Sequence, residues 1–146
     1  MKLMLWLAAL LPLVALGQPS PVQELSATLE GSGSAYYRFE HFEWPAADGQ
    51  RRYRVRLAIP RRPAPAAGYP VLYLLDGNAA LMALREDWLA ELQQGQPPLL
   101  VMIGPTSDLR LDLPGRIFDY TPEPVAGVGA PDPALNGLAT GGAAAF

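Results

Sequence analysis

The amino-acid sequence predicts an α/β fold in which an antiparallel strand pair precedes a β-strand, α-helix, β-strand unit. Residues 71–75 and 99–103 are continuous apolar segments, each bounded by Gly, Pro or Asp-Gly, and a helical pattern lies between them. Such segments are typical of strands buried on both faces of a parallel sheet. Residues 51–59 instead alternate between large apolar side chains and mostly arginine side chains, as expected of a half-buried strand. Together these patterns favour a βαβ unit with an antiparallel edge.

The composition of the chain excludes several kinds of site. There is no Cys, so the chain can form no disulfide, thiolate metal site or Cys nucleophile, and its single His cannot build a His-rich metal site. The formal net charge is −3 and basic residues are not in excess, so nucleic acid is not an expected partner. The acidic side chains of residues 108–119 do not have the spacing of an EF-hand. We therefore expect no metal and no cofactor.

The N-terminus has the pattern of an export signal. Lys2 gives a short positive region, and residues 3–16 form an apolar stretch of signal-peptide length. Ala15 and Gly17 are small residues suited to cleavage before Gln18. We expect a protein exported to a bacterial periplasm or secreted, with no stable membrane anchor after cleavage. The alternative is an uncleaved anchor.

We divide the chain into a signal peptide (1–17), a loose lead-in segment (18–35) and one α/β domain (36–146). The lead-in is polar and rich in Pro, Ser and Gly, and it has little periodicity. The domain begins with two strands at 36–44 and 51–59, joined by a turn that contains an Asp-Gly pair. We expect these strands to form a hairpin.

The second strand carries a row of arginines on one face. That face holds Arg52, Arg54, Arg56 and Ala58, and the opposite face holds Tyr53, Val55, Leu57 and Ile59. We interpret the arginine face as solvated, because exposed charges discourage edge-to-edge strand pairing. An anion-binding stripe is the alternative.

The strand at 71–75 ends in Asp76-Gly77-Asn78, which predicts a sharp turn because Gly and Asn tolerate positive φ. Asn78 is the predicted N-cap of a helix from Ala79 to about Gln94. Four large residues fall on one face of that helix: Leu81, Leu84, Trp88 and Leu92. A strand, turn, helix unit carries backbone N–H groups to the C-terminal edge of a parallel sheet, where reacting oxyanions bind.

Residues 106–121 are predicted to form a loop that is rich in polar and charged side chains. No nucleophile elbow G-x-S-x-G, P-loop or G-x-G-x-x-G sequence is present in the 146 residues. His41 lies in the first strand and is interpreted as a surface residue. One donor of the oxyanion hole in α/β serine hydrolases lies in the loop after the third strand, where the Asp76–Asn78 turn falls.

Three motifs in this order resemble an esterase family of α/β-hydrolases. They are the segment G-Y-P-V-L-Y-L-L-D-G-N at 68–78, the sequence R-x-x-D-Y-T-P at 116–122 and the sequence G-G-A-x-A-F at 141–146. Within the family the sequence is most similar to periplasmic siderophore esterases of the enterobactin or salmochelin type. The resemblance covers about residues 36–146.

The resemblance implies the N-terminal half of an α/β-hydrolase fold, an antiparallel hairpin plus βαβ, which stops before the nucleophile elbow. It implies a serine-type carboxylic ester hydrolase whose nucleophile and base lie outside these residues, so we expect the chain alone to be inactive. The backbone N–H of Asn78, in the loop with Gly77, would be an oxyanion donor. Arg116, Asp119 and Tyr120 would bind a small-molecule ester, including a ferric siderophore.

Alternatives remain for these assignments. The Asp76–Asn78 segment could be a plain turn, and Arg116 could form a structural pair with Asp119. The chain could be a non-enzymatic remnant or binding module, or part of a general carboxylesterase. We also expect the strand at 99–103 to be an exposed apolar edge, which would leave the isolated chain marginally stable and prone to aggregate.

Overall fold

The computed structural model describes residues 23–123 and 137–146. The predicted signal peptide at 1–17 lies outside them. The strands are β1 (Tyr37–Pro45), β2 (Arg52–Pro60), β3 (Val71–Leu74) and β4 (Leu99–Pro105). The helices are α1 (Leu29–Ser32), α2 (Gly77–Ala83), α3 (Glu86–Leu92) and α4 (Leu113–Tyr120). No helix within 23–123 or 137–146 is long and apolar enough to cross a bilayer.

The four strands form one mixed sheet in the order β1-β2-β4-β3. β1 and β2 form an antiparallel hairpin that pairs Tyr37 with Pro60 and Pro45 with Arg52. β3 pairs with β4 in parallel, with Val71 opposite Leu99. The predicted α/β class, with a hairpin followed by a βαβ unit, is therefore confirmed.

The positions of the two apolar strands differ from the prediction. β4 was expected at the edge, but it lies between β2 and β3 and is largely buried. β3 was expected to be buried on both faces, but it is an edge strand, and its residues Leu72 and Tyr73 are 47% and 67% exposed. The reason is topological: both hydrogen-bonding sides of β4 are occupied, whereas β3 has one partner within the described residues.

The predicted single helix at 79–94 is two helices. Leu84 and Arg85 have extended backbone angles, which separate α2 from α3. Glu86 and Asp87 then occupy the first turn of α3, where acidic side chains are favoured by the helix dipole. The break also changes the buried face, because Leu89 is fully buried and Trp88 is half exposed.

The hydrophobic core lies between the sheet and α2 and α3. Its buried members are Tyr37, Ala58, Leu81, Leu89, Leu100 and Met102. Leu25 and Leu29 of the lead-in segment pack against it. Glu24 also forms a β-bridge with Leu109. The described part of the lead-in is therefore held against the domain by apolar packing and backbone pairing, and it is not loose.

Residues 113–120 form a helix, so the prediction of a loop throughout 106–121 is wrong. The Asp112 side chain caps α4 by accepting a hydrogen bond from the Gly115 N–H (3.2 Å), and Pro114 lies in its first turn. Asp at the N-cap and Pro in the first turn are a recognised start signal. The density of polar residues masked this signal in the sequence.

Candidate active site

A cavity of about 260 Å³ opens at the C-terminal ends of β3 and β4. The start of β2 lies at the same end, because the antiparallel register pairs Tyr53 with Pro105. Ligands of open α/β sheets bind at this edge. The polar side chains in its lining include Arg51, Asp76, Ser107, Arg110, Arg116, Asp119 and Tyr120.

The turn after β3 is made by Asp76, which has φ +52° and ψ +51° and is the N-cap of α2. Gly77 and Asn78 are the first two residues of that helix, so the prediction that Asn78 is the N-cap is wrong. A short polar side chain such as Asp tolerates the left-handed region better than most residues. The first N–H groups of a helix have no partner within it, so the amides of Gly77 and Asn78 are donors of the kind that an oxyanion requires.

The first turn of α2 packs directly on the backbone of β4. A Cβ atom on Gly104 would lie 2.8 Å from the Gly77 nitrogen and 3.1 Å from the Asn78 nitrogen. A Cβ atom on Gly77 would lie 2.8 Å from the carbonyl carbon of Ile103. Gly77 and Asn78 are buried, whereas Asp76 and Gly104 beside them line the cavity.

Arg116, Asp119 and Tyr120, the predicted binding residues, all line the cavity from α4. Arg116 does not pair with Asp119. Its Nε donates to both carboxylate oxygens of Asp76, each at 3.0 Å. The Tyr120 hydroxyl accepts from the Asp76 N–H at 3.3 Å. The helix α4 therefore holds the left-handed turn from the cavity side.

Asp119 instead contacts Arg51, which immediately precedes β2, and Tyr53 of β2. It forms an ion pair with Arg51 and accepts a hydrogen bond from the Tyr53 hydroxyl at 3.0 Å. The aromatic ring of Phe146 packs edge-on against the rings of Tyr53 and Tyr120, with centroids 5.0 and 5.4 Å apart. These contacts make one continuous wall from β2 to α4.

Burial controls the ionisation of the two tyrosines in this wall. It raises the pKa of Tyr53, although the nearby Arg51 partly opposes the shift. Burial also raises the pKa of Tyr120, and the hydrogen bond from the Asp76 N–H partly opposes it. Both hydroxyls therefore remain protonated at neutral pH and can donate hydrogen bonds.

The described residues bring no nucleophile and base together. Ser107 follows β4 and lines the cavity, and its buried hydroxyl has no hydrogen-bond partner in the part of the chain that the structure describes. His41 is on β1, where its Nδ1 lies 2.9 Å from Glu30 Oε1, and it does not line the cavity. No cluster of three potential metal ligands is present within 23–123 and 137–146.

Sequence reasoning missed Arg51, Tyr53 and Phe146 as cavity residues. Arg51 immediately precedes β2 and Tyr53 is near its start. Only the antiparallel pairing of β2 with β4 brings that start to the C-terminal end of β4. The alternation in β2 gives the face of each side chain, but it does not give the neighbouring strand. The order of strands was the missing information.

No protein-family model matches the chain. The sequence is 41% identical over 101 residues to the apo-salmochelin esterase of Escherichia coli O6:H1, covering 69% of this chain and 32% of the relative. Among solved structures, the enterobactin and salmochelin hydrolase IroE matches with a TM-score of 0.67 at 36% identity. That match covers 81% of this chain and 44% of IroE.

A more distant match is the BES protein from Bacillus cereus, with a TM-score of 0.59 at 26% identity, which covers 73% of this chain and 42% of that protein. The chain thus spans about a third of the curated relative and less than half of each solved structure. The resemblance predicted from the three motifs is confirmed. In sequence and in fold, the chain resembles a part of the length of siderophore esterases of the α/β-hydrolase type.

Proposed function

We propose that this chain supplies the oxyanion turn and one wall of the substrate cavity of an exported serine esterase that hydrolyses a catecholate siderophore. The observation that carries the proposal is the placement of the Asp76–Asn78 turn. It lies at the C-terminal end of a parallel strand, beside a cavity, with the first amides of α2 adjoining Gly104. The similarity to an apo-salmochelin esterase and to an enterobactin and salmochelin hydrolase supports the substrate class.

The proposed reaction is acyl transfer through a serine ester. A serine attacks the ester carbonyl, its proton passes to a general base, and the alcohol leaves before water hydrolyses the acyl-enzyme. The backbone N–H of Asn78, with Gly77 beside it, would stabilise the tetrahedral oxyanion. The nucleophile and base would come from outside the 146 residues, which contain no nucleophile elbow.

The cavity wall would bind the acidic part of the substrate. Arg116 is 46% exposed in its side chain and lines the cavity, so it can contact an anion while it also contacts Asp76. The protonated hydroxyl of Tyr120 would donate to a catecholate oxygen, whereas the Tyr53 hydroxyl donates to Asp119. The guanidinium of Arg116 suits a pair of oxygens because its donors form a planar fork.

A chimeric enzyme tests the proposal. The matching segment of the Escherichia coli apo-salmochelin esterase is replaced by residues of this chain, and hydrolysis of enterobactin and of p-nitrophenyl acetate is measured. We expect activity toward both esters, and we expect Arg116→Gln to raise KM for enterobactin more than for the neutral ester. The control is Arg38→Gln on the exposed face of β1. Equal effects of the two variants would contradict the role of Arg116.

The 146-residue chain by itself is expected to release no p-nitrophenol above background. Turnover by the chain alone would contradict a nucleophile outside these residues.

A general carboxylesterase is the second candidate, and the chimera distinguishes it: similar kcat/KM values for enterobactin and for simple acyl esters would favour it. An export signal at 1–17 is proposed from the sequence alone, and N-terminal sequencing of the protein from a periplasmic extract tests it.

A further inference from the structure

The face of β2 that was predicted to be solvated is buried at its centre. Arg56 is only 2% exposed, and Asn78 opposite it is fully buried. The Nη1 of Arg56 donates to Asn78 Oδ1 at 2.6 Å, and its Nε donates to Glu30 Oε2 at 3.1 Å. Burial lowers the pKa of Arg56, and the negative charge of Glu30 opposes that shift. The buried guanidinium is therefore paired with one carboxylate, from Glu30, and one amide oxygen, from Asn78.

The side chain of Asn78 also binds the segment after β4. Its Nδ2 donates to the carbonyl oxygens of Ser107 (2.8 Å) and Leu109 (2.6 Å). The three hydrogen bonds of the Asn78 side-chain amide therefore reach β2 and the segment after β4, while the Asn78 backbone lies in the first turn of α2. Ser107 and Arg110 of this segment line the cavity. Asn78 thus connects the turn after β3 with the cavity wall.

The lead-in segment contacts both Arg56 and the segment after β4. Glu30 comes from α1, and its Oε1 also contacts His41. Leu25 N–H donates to the Asp108 carbonyl at 2.6 Å, and Arg110 N–H donates to the Gln23 carbonyl at 2.7 Å. The lead-in therefore supplies both the carboxylate that orients Arg56 and a backbone partner for residues 108–110.

We propose that Arg56 and Glu30 are positioning residues, which hold the side chain of Asn78 and through it fix both the Gly77–Asn78 turn and the cavity segment 106–110. This proposal rests on the proposed function for its catalytic meaning. Its structural content is independent, because a buried amide or guanidinium that loses its partner carries the full cost of desolvation. Such a group either moves or draws in water, and either response displaces the turn.

Amide hydrogen exchange in the 146-residue chain tests the positioning. The Ala80 N–H, which donates to the Asp76 carbonyl at 2.9 Å, reports on the turn, and the Leu25 and Arg110 amides report on the cavity segment. We expect Arg56→Met to accelerate exchange at these three amides by about tenfold. The matched control is Arg38→Met, which removes an exposed arginine from β1. The Val101 amide in the centre of the sheet should not change in either variant.

Two further variants separate positioning from general loss of structure. Glu30→Gln keeps an oxygen acceptor for Arg56, so its effect should be smaller than that of Glu30→Ala. Asn78→Asp keeps an oxygen that accepts from Arg56 but loses the N–H donors to Ser107 and Leu109. It should therefore accelerate hydrogen exchange at the Leu25 and Arg110 amides more than at the Ala80 amide. Equal acceleration at Val101, or no protection of Ala80 in the unchanged chain, would overturn the proposal.

The catalytic consequence is measured separately in the chimera. Arg56→Met should lower kcat for both esters with little change in KM, because it displaces an oxyanion donor and not a substrate contact. Altered exchange together with an unchanged kcat would show that Arg56 positions the turn but that the turn is not the oxyanion site. That result would contradict the proposed function and leave the positioning intact.

Discussion

At the scale of single residues, Gly104 allows a helix to begin in contact with a strand. A hydrogen is the only substituent that fits there, because a Cβ atom would lie 2.8 Å from the Gly77 nitrogen. The atom it would meet belongs to the backbone, so no side chain can rotate away. Close packing of this kind explains how the amides of Gly77 and Asn78 come to adjoin the end of β4.

We expect Gly104→Ala to destabilise the chain by about 1–3 kcal/mol, because overpacking forces the backbone of β4 or α2 to move. Urea unfolding followed by circular dichroism measures the change. Gly95→Ala is the control, because a Cβ atom there meets nothing within 4 Å. Equal stabilities of the two variants would show that α2 does not depend on this contact.

At the scale of elements, α4 organises the cavity wall. Its three residues Arg116, Asp119 and Tyr120 reach Asp76, Arg51 and the aromatic ring of Phe146 respectively. None of these contacts is local in sequence. The helix therefore connects the turn after β3 with the start of β2, and its own start depends on the Asp112 cap.

Replacing the cap should weaken α4 specifically. We expect Asp112→Ala to cost about 1 kcal/mol in the free energy of unfolding, because the Gly115 N–H loses its acceptor. Asp112→Asn keeps a side-chain oxygen and should be close to the unchanged chain. The measurement is urea unfolding of the three proteins side by side. If Asp112→Asn lowers the free energy of unfolding as much as Asp112→Ala does, then the charge of Asp112 stabilises α4 and its capping hydrogen bond does not.

At the scale of the whole molecule, the apolar strand that lies at an edge of the sheet is β3 and not β4. Val71, Leu72, Tyr73 and Leu75 are each 47% or more exposed in the described residues. An apolar strand with a free hydrogen-bonding edge is a template for pairing with another chain. The tendency to aggregate remains a prediction, but the strand expected to cause it is β3 and not the strand at 99–103.

A single charge on this edge should reduce aggregation. We expect Leu72→Lys to slow the growth of light scattering in concentrated solutions of the chain, because a lysine on an edge strand opposes strand pairing. Ala67→Lys in the exposed loop before β3 is the control with the same change in net charge. Both variants bring the formal charge closer to zero than −3. If both aggregate like the unchanged chain, β3 is not the associating edge.

The sequence by itself determined the α/β class, the hairpin, the two apolar strands and the resemblance to siderophore esterases. These features depend on local periodicity and on motifs, and both are read along the chain without knowledge of neighbours. The start of α4 was also encoded locally, by Asp112 and Pro114, although the polar composition of the segment obscured it.

Only the tertiary structure decided which strand lies at the edge, that Arg56 is buried, and that Arg116 pairs with Asp76. Each depends on contacts between residues far apart in sequence: β4 inserts between β2 and β3, and α1 and α2 bring Glu30 and Asn78 to the arginine face. A row of arginines looks solvated in sequence because burying a charge is costly unless it is paired. The partners that make its burial possible come from two other elements, so alternation within β2 could not reveal them.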